Sequence, residues 1–193
     1  MTKRPLHAVL LDDAVADVDQ LAGPLAKALD GTGPAILPLD ATLPAPRLRQ
    51  LTDAIAPDAG VADDTAVIIV TSGSTGEPKG VELSAAALCH SARASLARLG
   101  PADDKDAGGW LCCLPVTHVA GLQVLVRSLL SSSERTVAPT LTATALSESG
   151  CSYVSVVPTQ LIRLLDEPGG AAALAEFAAV LVGGAAAPAG LLD

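Results

Sequence analysis

The chain of 193 residues is long enough for one domain with a hydrophobic core, and half of it is apolar although aromatic residues make up only 2%. Its net charge of −9 and its scattered basic residues exclude a basic stripe that could follow a nucleic-acid backbone. No run of about eighteen apolar residues predicts a membrane span. Asp12 and Asp13 interrupt the stretch after the basic N-terminus, which argues against a signal peptide.

The cysteines and histidines form no metal or redox motif. None of the cysteines makes a CxxC pair, so we predict small buried side chains in a reducing cytoplasm for Cys89, Cys112, Cys113 and Cys151. The histidines lack the spacing of metal ligands at His7, His90 and His118. We therefore expect a cytoplasmic protein and assign no metal ligand.

The first 60 residues predict a helical and short-strand segment that packs on a core formed by residues 61–193. Its elements are a strand or helix start at 6–11, a helix at 17–30, a short strand at 35–39, a helix from Pro46 to Ile55, and a polar connection at 57–64. Pro38 favours the edge of a sheet for the strand at 35–39, because proline lacks the N–H group that a central strand donates.

A polar glycine loop at residues 71–80 follows the apolar run from Ala66 to Val70, which is typical of a buried strand. Apolar residues at helical spacing resume near Leu83 and continue to Leu99, with Ser84 as the expected N-cap. The loop combines glycines that let main-chain N–H groups approach an anion, four hydroxyl groups, and the cationic Lys79. Its spacing is not that of a Walker A motif. A flexible Gly/Ser surface connection is the alternative, but the flanking strand and helix favour a phosphate-binding loop.

Strands and helices then alternate to the end of the chain. Predicted strands lie at 110–114, 135–138, 152–157 and 179–182, and predicted helices at 119–130, 141–148, 159–165 and 171–177. This alternation predicts an α/β fold with a mostly parallel sheet flanked by helices. Ligands in such sheets bind at the carboxyl ends of the strands, so we expect the loops 71–80, 115–118 and 183–188 to share one rim.

Two further segments carry candidate binding residues. His118 lies at a strand-to-helix junction, where it either lines a cleft or makes a hydrogen bond that only supports the fold. On the following helix, Gln123 and Arg127 lie one turn apart, and both face either the cleft or water. A solvated arginine is the expected state of Arg127, and a pair with a substrate carboxylate is the alternative.

Gly183 and Gly184 let the main chain approach a flat ligand or simply form a tight turn.

The segment from Thr71 to Gly80, Thr-Ser-Gly-Ser-Thr-Gly-Glu-Pro-Lys-Gly, resembles the phosphate-binding signature of the adenylate-forming enzymes. Segments 118–128, 157–161 and 181–188 are most similar to o-succinylbenzoate–CoA ligases. The resemblance implies catalytic roles for Lys79 and His118, the latter beside the reacting carboxylate. It also implies nucleotide-binding roles for a larger set, namely Thr71, Ser72, Gly73, Ser74, Thr75, Gly76, Lys79, Gly80, Gly183, Gly184, Ala185 and Ala186, of which the last four border adenine.

The resemblance implies ATP-dependent conversion of a carboxylic acid to an acyl-adenylate and transfer of the acyl group to CoA. The cofactors that it implies are ATP and magnesium, with CoA as co-substrate. It also implies that residues 61–193 are part of an AMP-binding domain that continues further in the family, so we expect this chain alone not to complete thioester formation. The expected partners are a small carboxylic acid, with o-succinylbenzoate favoured, and the remaining portion of such an enzyme, while self-association stays open. The alternatives are a catalytically inactive nucleotide-binding or interaction fragment and another acyl- or aryl-CoA ligase.

Overall fold

The structure is a computed structural model that describes residues 3–55, 60–72, 78–99, 108–188 and 190–191. Within these ranges the chain forms ten strands and seven helices. The strands are β1 (Lys3–Arg4), β2 (Leu6–Leu11), β3 (Ala35–Asp40), β4 (Val61–Ala62), β5 (Thr65–Ser72), β6 (Pro78–Ser84), β7 (Trp110–Cys112), β8 (Arg135–Val137), β9 (Tyr153–Val156) and β10 (Ala179–Val182). The helices are α1 (Val18–Leu29), α2 (Ala45–Ile55), α3 (Ala85–Leu99), α4 (Val119–Ser131), α5 (Ala143–Glu148), α6 (Pro158–Asp166) and α7 (Gly170–Ala175).

The strands divide between two four-stranded sheets and one short antiparallel ribbon of β1 and β4. The first sheet has the order β2-β3-β5-β6, in which only β6 runs antiparallel to its neighbour. The second sheet has the order β10-β9-β7-β8 and is entirely parallel. The predicted α/β class with mostly parallel strands is confirmed, although the strands form two sheets and not one.

A helical layer of α1, α3 and α4 lies between the two sheets. One core cluster contains Val67 and Ile69 of β5 together with Trp110 and Cys112 of β7 and the buried faces of these helices. The intervening residue of β5, Ile68, points the other way and packs with β3 and α2. The second sheet likewise turns alternate residues outward onto α5, α6 and α7. The order of layers is therefore α2, first sheet, α1/α3/α4, second sheet, α5/α6/α7. Among the helices that the structure describes, none has the length and apolar character needed to cross a bilayer.

Residues 78–84 differ from prediction, because they form the strand β6, whereas the sequence predicts a loop as far as Gly80 and helical spacing from near Leu83. Val81 lies opposite Ile69 and Leu83 opposite Val67, so the apolar side chains of this segment alternate along a hairpin partner of β5. The helix begins only at Ala85, and the Ser84 hydroxyl accepts a hydrogen bond from the Ala87 N–H at 3.2 Å. The N-cap prediction is confirmed, whereas the predicted strand–loop–helix unit is wrong: the unit is strand, loop, strand, helix.

The prediction of an edge position for the strand at 35–39 is also wrong. β3 lies between β2 and β5, and its residues 35–39 are all buried. It pairs over its full length with β2 but with β5 only where Ile36 lies opposite Val67. The short ladder on that side accommodates Pro38, which has no N–H group to donate.

Arg4 fastens the amino-terminal elements to this sheet. Its side chain is 8% exposed, and its guanidinium donates to three main-chain carbonyls: Ala28 at 2.9 Å, Thr65 at 2.9 Å, and Gly33 at 2.6 and 3.0 Å. These carbonyls belong to the end of α1, the turn after it, and the start of β5. The first 40 residues therefore complete the sheet that ends in the glycine loop.

Candidate functional site

The glycine loop connects the two strands of the β5–β6 hairpin. Thr71 lies directly opposite Lys79, and the Thr71 hydroxyl donates to the Lys79 carbonyl at 3.4 Å. Because side chains alternate along a strand, Thr71 lies on the same face of the sheet as Val67 and Ile69, which is the face toward the second sheet. Lys79, as its cross-strand neighbour, shares that face. The Lys79 side chain is exposed and has no ion-pair partner among the described residues.

Of the predicted phosphate loop, the structure describes only the two ends, which belong to β5 and β6. Ser72 lies opposite Pro78 as the last pair of the hairpin, and only the main chain of Ser72 is described. The predicted phosphate ligands Gly73, Ser74, Thr75 and Gly76 lie outside the described residues. Their roles stay predictions, as does the part that their amides would play.

Gly80 has a structural reason to be glycine. It lies opposite Val70, one position after Lys79. A side chain at this position would therefore point to the other face of the sheet, toward α2. A Cβ atom at this position would collide with Ile55 of α2 and would lie 3.0 Å from Cγ2 of Ile68. A side chain at this position would require the Ile55 side chain to shift, and the predicted contact of Gly80 with phosphate stays a prediction.

His118 is the N-cap residue of α4 and has an extended main chain, with φ −113° and ψ 149°. Its N–H donates to Pro115 O at 3.1 Å, and its carbonyl accepts from Leu122 N at 2.9 Å. The imidazole is exposed and makes no hydrogen bond to any described residue. Within the described residues the structure therefore shows no hydrogen bond by which this ring supports the fold, and its role beside the acyl group stays a prediction.

The loop before His118 packs tightly against its neighbours. A Cβ atom on Gly121 would collide with Pro115 O and would lie 2.5 Å from Leu114 O, so only glycine lets the first turn of α4 approach this loop. On the other side, Val116 N donates to Ala14 O at 2.8 Å, just beyond the carboxyl end of β2. The carboxyl edges of the two sheets therefore meet at this contact. The sequence carries no signal for it, since a main-chain carbonyl accepts the bond.

Residues 183–186 form an exposed bend after β10. Gly183 N donates to Val156 O at 3.1 Å, which ties the bend to β9. Gly184 has φ +86°, a conformation that favours glycine, and a Cβ there would lie 3.2 Å from Cγ1 of Val157. A Cβ on Gly183, in contrast, would meet nothing within 4 Å. The bend is thus a tight turn at Gly184 with open space beside Gly183.

Arg127 is buried, so the prediction of a solvated arginine is wrong. It is 7% exposed, its guanidinium carbon lies 4.7 Å from the centroid of the Trp110 ring, and Nη2 donates to the Ser155 hydroxyl at 3.2 Å. Its Nε atom has no hydrogen-bond partner among the described residues. Burial lowers the pKa of Arg127 to about 10, which leaves it protonated at neutral pH. The helix α4 lies between two sheets, whereas a single sheet would have left one of its faces in water.

Gln123, one turn before Arg127, also has an unused polar atom. Its Nε2 donates to Leu88 O of α3 at 3.5 Å, while the buried Oε1 accepts no hydrogen bond. Among the described residues, no carboxylate pairs with Arg127. The middle layer therefore holds a buried cation and a buried acceptor whose hydrogen-bonding capacity is incompletely used.

The three predicted rim segments lie at the carboxyl ends of their strands. The hairpin end follows β5 in the first sheet, and segments 115–118 and 183–186 follow β7 and β10 in the second. No hydrogen bond or ion pair within the described ranges links Lys79 directly to His118 or Gly183. The described residues also contain no group of three or more His, Cys, Asp or Glu side chains that could hold a metal ion.

Comparison with known proteins gives matches over nearly the whole chain. The family described as AMP-binding enzyme matches residues 8–193. A probable 2-succinylbenzoate–CoA ligase from Mycobacterium tuberculosis (strain H37Rv) is 39% identical over 178 residues, which cover 88% of this chain and 44% of the relative. The chain thus spans less than half the length of this relative.

Solved structures of similar proteins show the same fold. A variant of E. coli MenE with bound OSB-AMS has a TM-score of 0.68 and 26% identity, and the match covers 99% of this chain and 46% of that protein. The o-succinylbenzoate coenzyme A synthetase from Bacillus subtilis, in complex with ATP and a magnesium ion, has a TM-score of 0.69 at 23% identity, with 100% of this chain and 47% of that protein covered. Together with the family match, these findings show that the chain belongs to the AMP-binding enzymes.

Proposed function

We propose that this chain provides the nucleotide- and acid-binding part of an ATP-dependent acid–CoA ligase, with o-succinylbenzoate as the acid. The observation that carries the proposal is the hairpin end, where Lys79, exposed and without an ion-pair partner among the described residues, lies opposite Thr71 at the end of a buried strand. A compact cation among hydroxyl and amide donors suits the phosphates of ATP. The complex of the B. subtilis relative with ATP and magnesium supports the same ligand here.

The proposed reaction has two steps. An oxygen of the substrate carboxylate attacks the α-phosphorus of ATP, so that a new O–P bond forms, the bond from that phosphorus to the bridging oxygen breaks, and pyrophosphate leaves. The CoA thiol then loses its proton to solvent and its sulfur attacks the acyl carbon, so that the bond from this carbon to the AMP oxygen breaks and AMP leaves the thioester. In the first step Lys79 and the hydroxyls of the loop hold the β- and γ-phosphates and stabilise the charge that builds on the departing pyrophosphate. Magnesium is proposed to arrive with the triphosphate, because the described residues provide no metal-binding cluster.

His118 and the bend at 183–186 are proposed to hold the two ends of the acyl-adenylate. The exposed imidazole of His118 is free to pack beside the acyl group. The open space next to Gly183 suits the flat face of adenine. The support for both roles is their place at the carboxyl ends of β7 and β10 in a parallel sheet.

Arg127 is the feature that favours o-succinylbenzoate over a simple acid. A buried guanidinium without a carboxylate partner is costly, and an anionic substrate group can supply that partner. o-Succinylbenzoate has two carboxylates, of which one is activated and the other keeps its charge. We propose that Arg127 pairs with the charged one. The ligand OSB-AMS named for the E. coli relative supports this choice of acid.

Isothermal titration of the chain with OSB-AMS and with a counterpart that differs from it only by the loss of the carboxylate that is not activated tests the proposal. The counterpart lacks the second carboxylate, so a hydrogen bond to a charged group worth about 1.5–3 kcal/mol is absent, and we expect binding at least about tenfold weaker. Equal affinities would contradict o-succinylbenzoate as the acid. Failure of the chain to bind either compound or ATP would contradict the nucleotide-binding role itself.

A further inference from the structure

Gln160, the third residue of α6, makes hydrogen bonds at both ends of its side-chain amide. Its Oε1 accepts from Val157 N at 3.0 Å, and its Nε2 donates to Cys113 O at 3.3 Å. The first bond joins Gln160 to the N-cap residue of its own helix, as in a capping box. The second bond reaches the strand-to-loop junction of a different crossover, 47 positions earlier in the chain.

This side chain replaces main-chain pairing at the point where two strands separate. The β7–β9 ladder consists of Trp110 opposite Tyr153 and Leu111 opposite Val154, and it ends there. Beyond it, the Gln160 amide bridges Cys113 and Val157. Past the ladder, the amide joins the two strand ends beside the Cys113 thiol, which donates to Ser155 O at 3.3 Å, and the amide is the bond that reaches Val157.

Each end of the bridge continues into a segment of the proposed site. Cys113 is followed directly by the loop 114–118 that ends at His118. On the other side, β9 and β10 stay paired as far as Val156 opposite Val182, and Gly183 N bonds to Val156 O. Gly184 also lies against the Val157 side chain. Through these contacts Gln160 is linked to both the loop 114–118 and the bend 183–186.

We propose that Gln160 is a positioning residue that fixes the spacing between the loop 114–118 and the bend 183–186, so that one acyl-adenylate contacts both. The inference rests on the proposed function, since it assumes that the acyl group lies at the loop and adenine at the bend. Gln160 acts through main-chain atoms of Cys113 and Val157, and it need not touch the ligand. A ligand that spans both segments depends on their spacing, whereas AMP, which lacks the acyl group, does not reach the loop.

The test compares the dissociation constants of OSB-AMS and AMP for the wild-type chain and for Gln160→Glu. Glutamate keeps an oxygen that accepts from Val157 N but cannot donate to Cys113 O, so only the link to the loop is cut. We expect OSB-AMS binding to weaken by about tenfold, the equivalent of one hydrogen bond, and AMP binding to change by less than about twofold. Gln160→Met, a similar shape without the charge, should give the same divergence between the two ligands.

Two control variants separate positioning from stability. Gln50→Glu makes the same chemical change at an exposed residue of α2, whose side-chain oxygen accepts a hydrogen bond from Arg47. Thr142→Ala removes the side-chain cap that accepts from Ala145 N at 3.1 Å, a loss of about 1 kcal/mol in stability. Both variants should bind OSB-AMS and AMP as the wild type does.

Three results would overturn the inference. The first is an unchanged affinity of Gln160→Glu and Gln160→Met for OSB-AMS. The second is an equal loss of affinity for both ligands, and the third is a loss that Thr142→Ala reproduces. In each of these cases the wild-type chain still binds both ligands and the proposed function stands. Failure of the wild-type chain to bind either ligand would instead overturn the proposed function, and this inference with it.

Discussion

Replacement of Arg127 by methionine should barely change the stability of the chain while it weakens the binding of OSB-AMS. Lowering the pKa of Arg127 from its ordinary value of 12.5 to about 10 corresponds to a cost of about 3 kcal/mol for the charged form, because each pH unit is worth about 1.4 kcal/mol. The contact with the Trp110 ring returns about 1–2 kcal/mol, and the bond to the Ser155 hydroxyl about 1 kcal/mol. These contributions nearly cancel, so we expect the free energy of unfolding to change by less than about 1 kcal/mol.

Urea denaturation and titration with OSB-AMS provide the two readouts for Arg127→Met. Loss of a charged partner for the ligand carboxylate should weaken OSB-AMS binding by about tenfold or more. Arg163→Met, on the exposed face of α6, is the matched control and should change neither quantity. A purely structural arginine would behave in the opposite way, with a loss of more than about 3 kcal/mol in stability and no change in affinity, and that result would refute the reasoning.

The contribution of Arg127 to the free energy of unfolding changes with pH in a defined direction. The pKa of Arg127 is lower in the folded chain than in the unfolded chain, so the folded state binds fewer protons between about pH 10 and 12.5. The cost of the buried charge is therefore constant below about pH 9 and is relieved only as the pH rises above 10. The stability difference between wild type and Arg127→Met should be the same at pH 7 and at pH 8.

Three further predictions concern the scaffold. Arg4→Leu should lower the free energy of unfolding in urea by about 2–4 kcal/mol, because two buried carbonyls and one partly buried carbonyl lose a charged donor. An unchanged free energy of unfolding would contradict the role of Arg4 in holding these elements together. Burial raises the pKa of Cys112 and of Cys113 to about 12. These thiols should therefore not react with iodoacetamide in the native chain at pH 8. Their contribution to the free energy of unfolding should be lost as the pH rises from about 9 through 12. Gly80→Ala should destabilise the chain by about 1–3 kcal/mol through overpacking, whereas Gly23→Ala, inside α1 with nothing within 4 Å of the new methyl group, should raise the melting temperature. Equal melting temperatures for the two alanine variants would contradict that packing argument.

Local patterns in the sequence are sufficient to predict most of the elements. The apolar run from Ala66 to Val70 predicts β5, and the helical spacing of apolar residues predicts α1, α4 and α6 close to their observed bounds. The hairpin is harder to predict, because Leu83 fits both the alternation of β6 and the helical period of the segment after it. Alternation of Lys79, Val81 and Leu83 with Gly80, Glu82 and Ser84 was the available signal for a strand.

Burial of Arg127 depends on a second sheet that no local pattern reveals. The sequence of α4 from Val119 to Ser131 is nevertheless apolar on nearly every face, which is typical of a helix enclosed on both sides. That composition could have predicted a buried position for the arginine. Pro38 shows the reverse case, where a sound local rule for proline gives the wrong position because the neighbouring ladder is only one pair long.

The candidate site is predictable in its segments but not in its connections. His118 and Gly183 follow β7 and β10, and the glycine loop follows β5, so the rule for parallel sheets places these segments at carboxyl ends without any coordinates. The contacts of Val116 with Ala14 and of Gln160 with Cys113 both use main-chain carbonyls as acceptors. Any residue type supplies a carbonyl, and for this reason the sequence holds no trace of these bonds.

The central claim is that Lys79 at the end of the hairpin holds the phosphate tail of ATP. Titration of the wild-type chain and of Lys79→Ala with ATP and with AMP tests it most directly, since AMP lacks the β- and γ-phosphates. We predict that Lys79→Ala weakens ATP binding by about tenfold or more, the loss of one charge-assisted hydrogen bond, and leaves AMP binding and the melting temperature unchanged. Equal ATP affinity for the two chains, or an equal loss for ATP and AMP, would contradict the account.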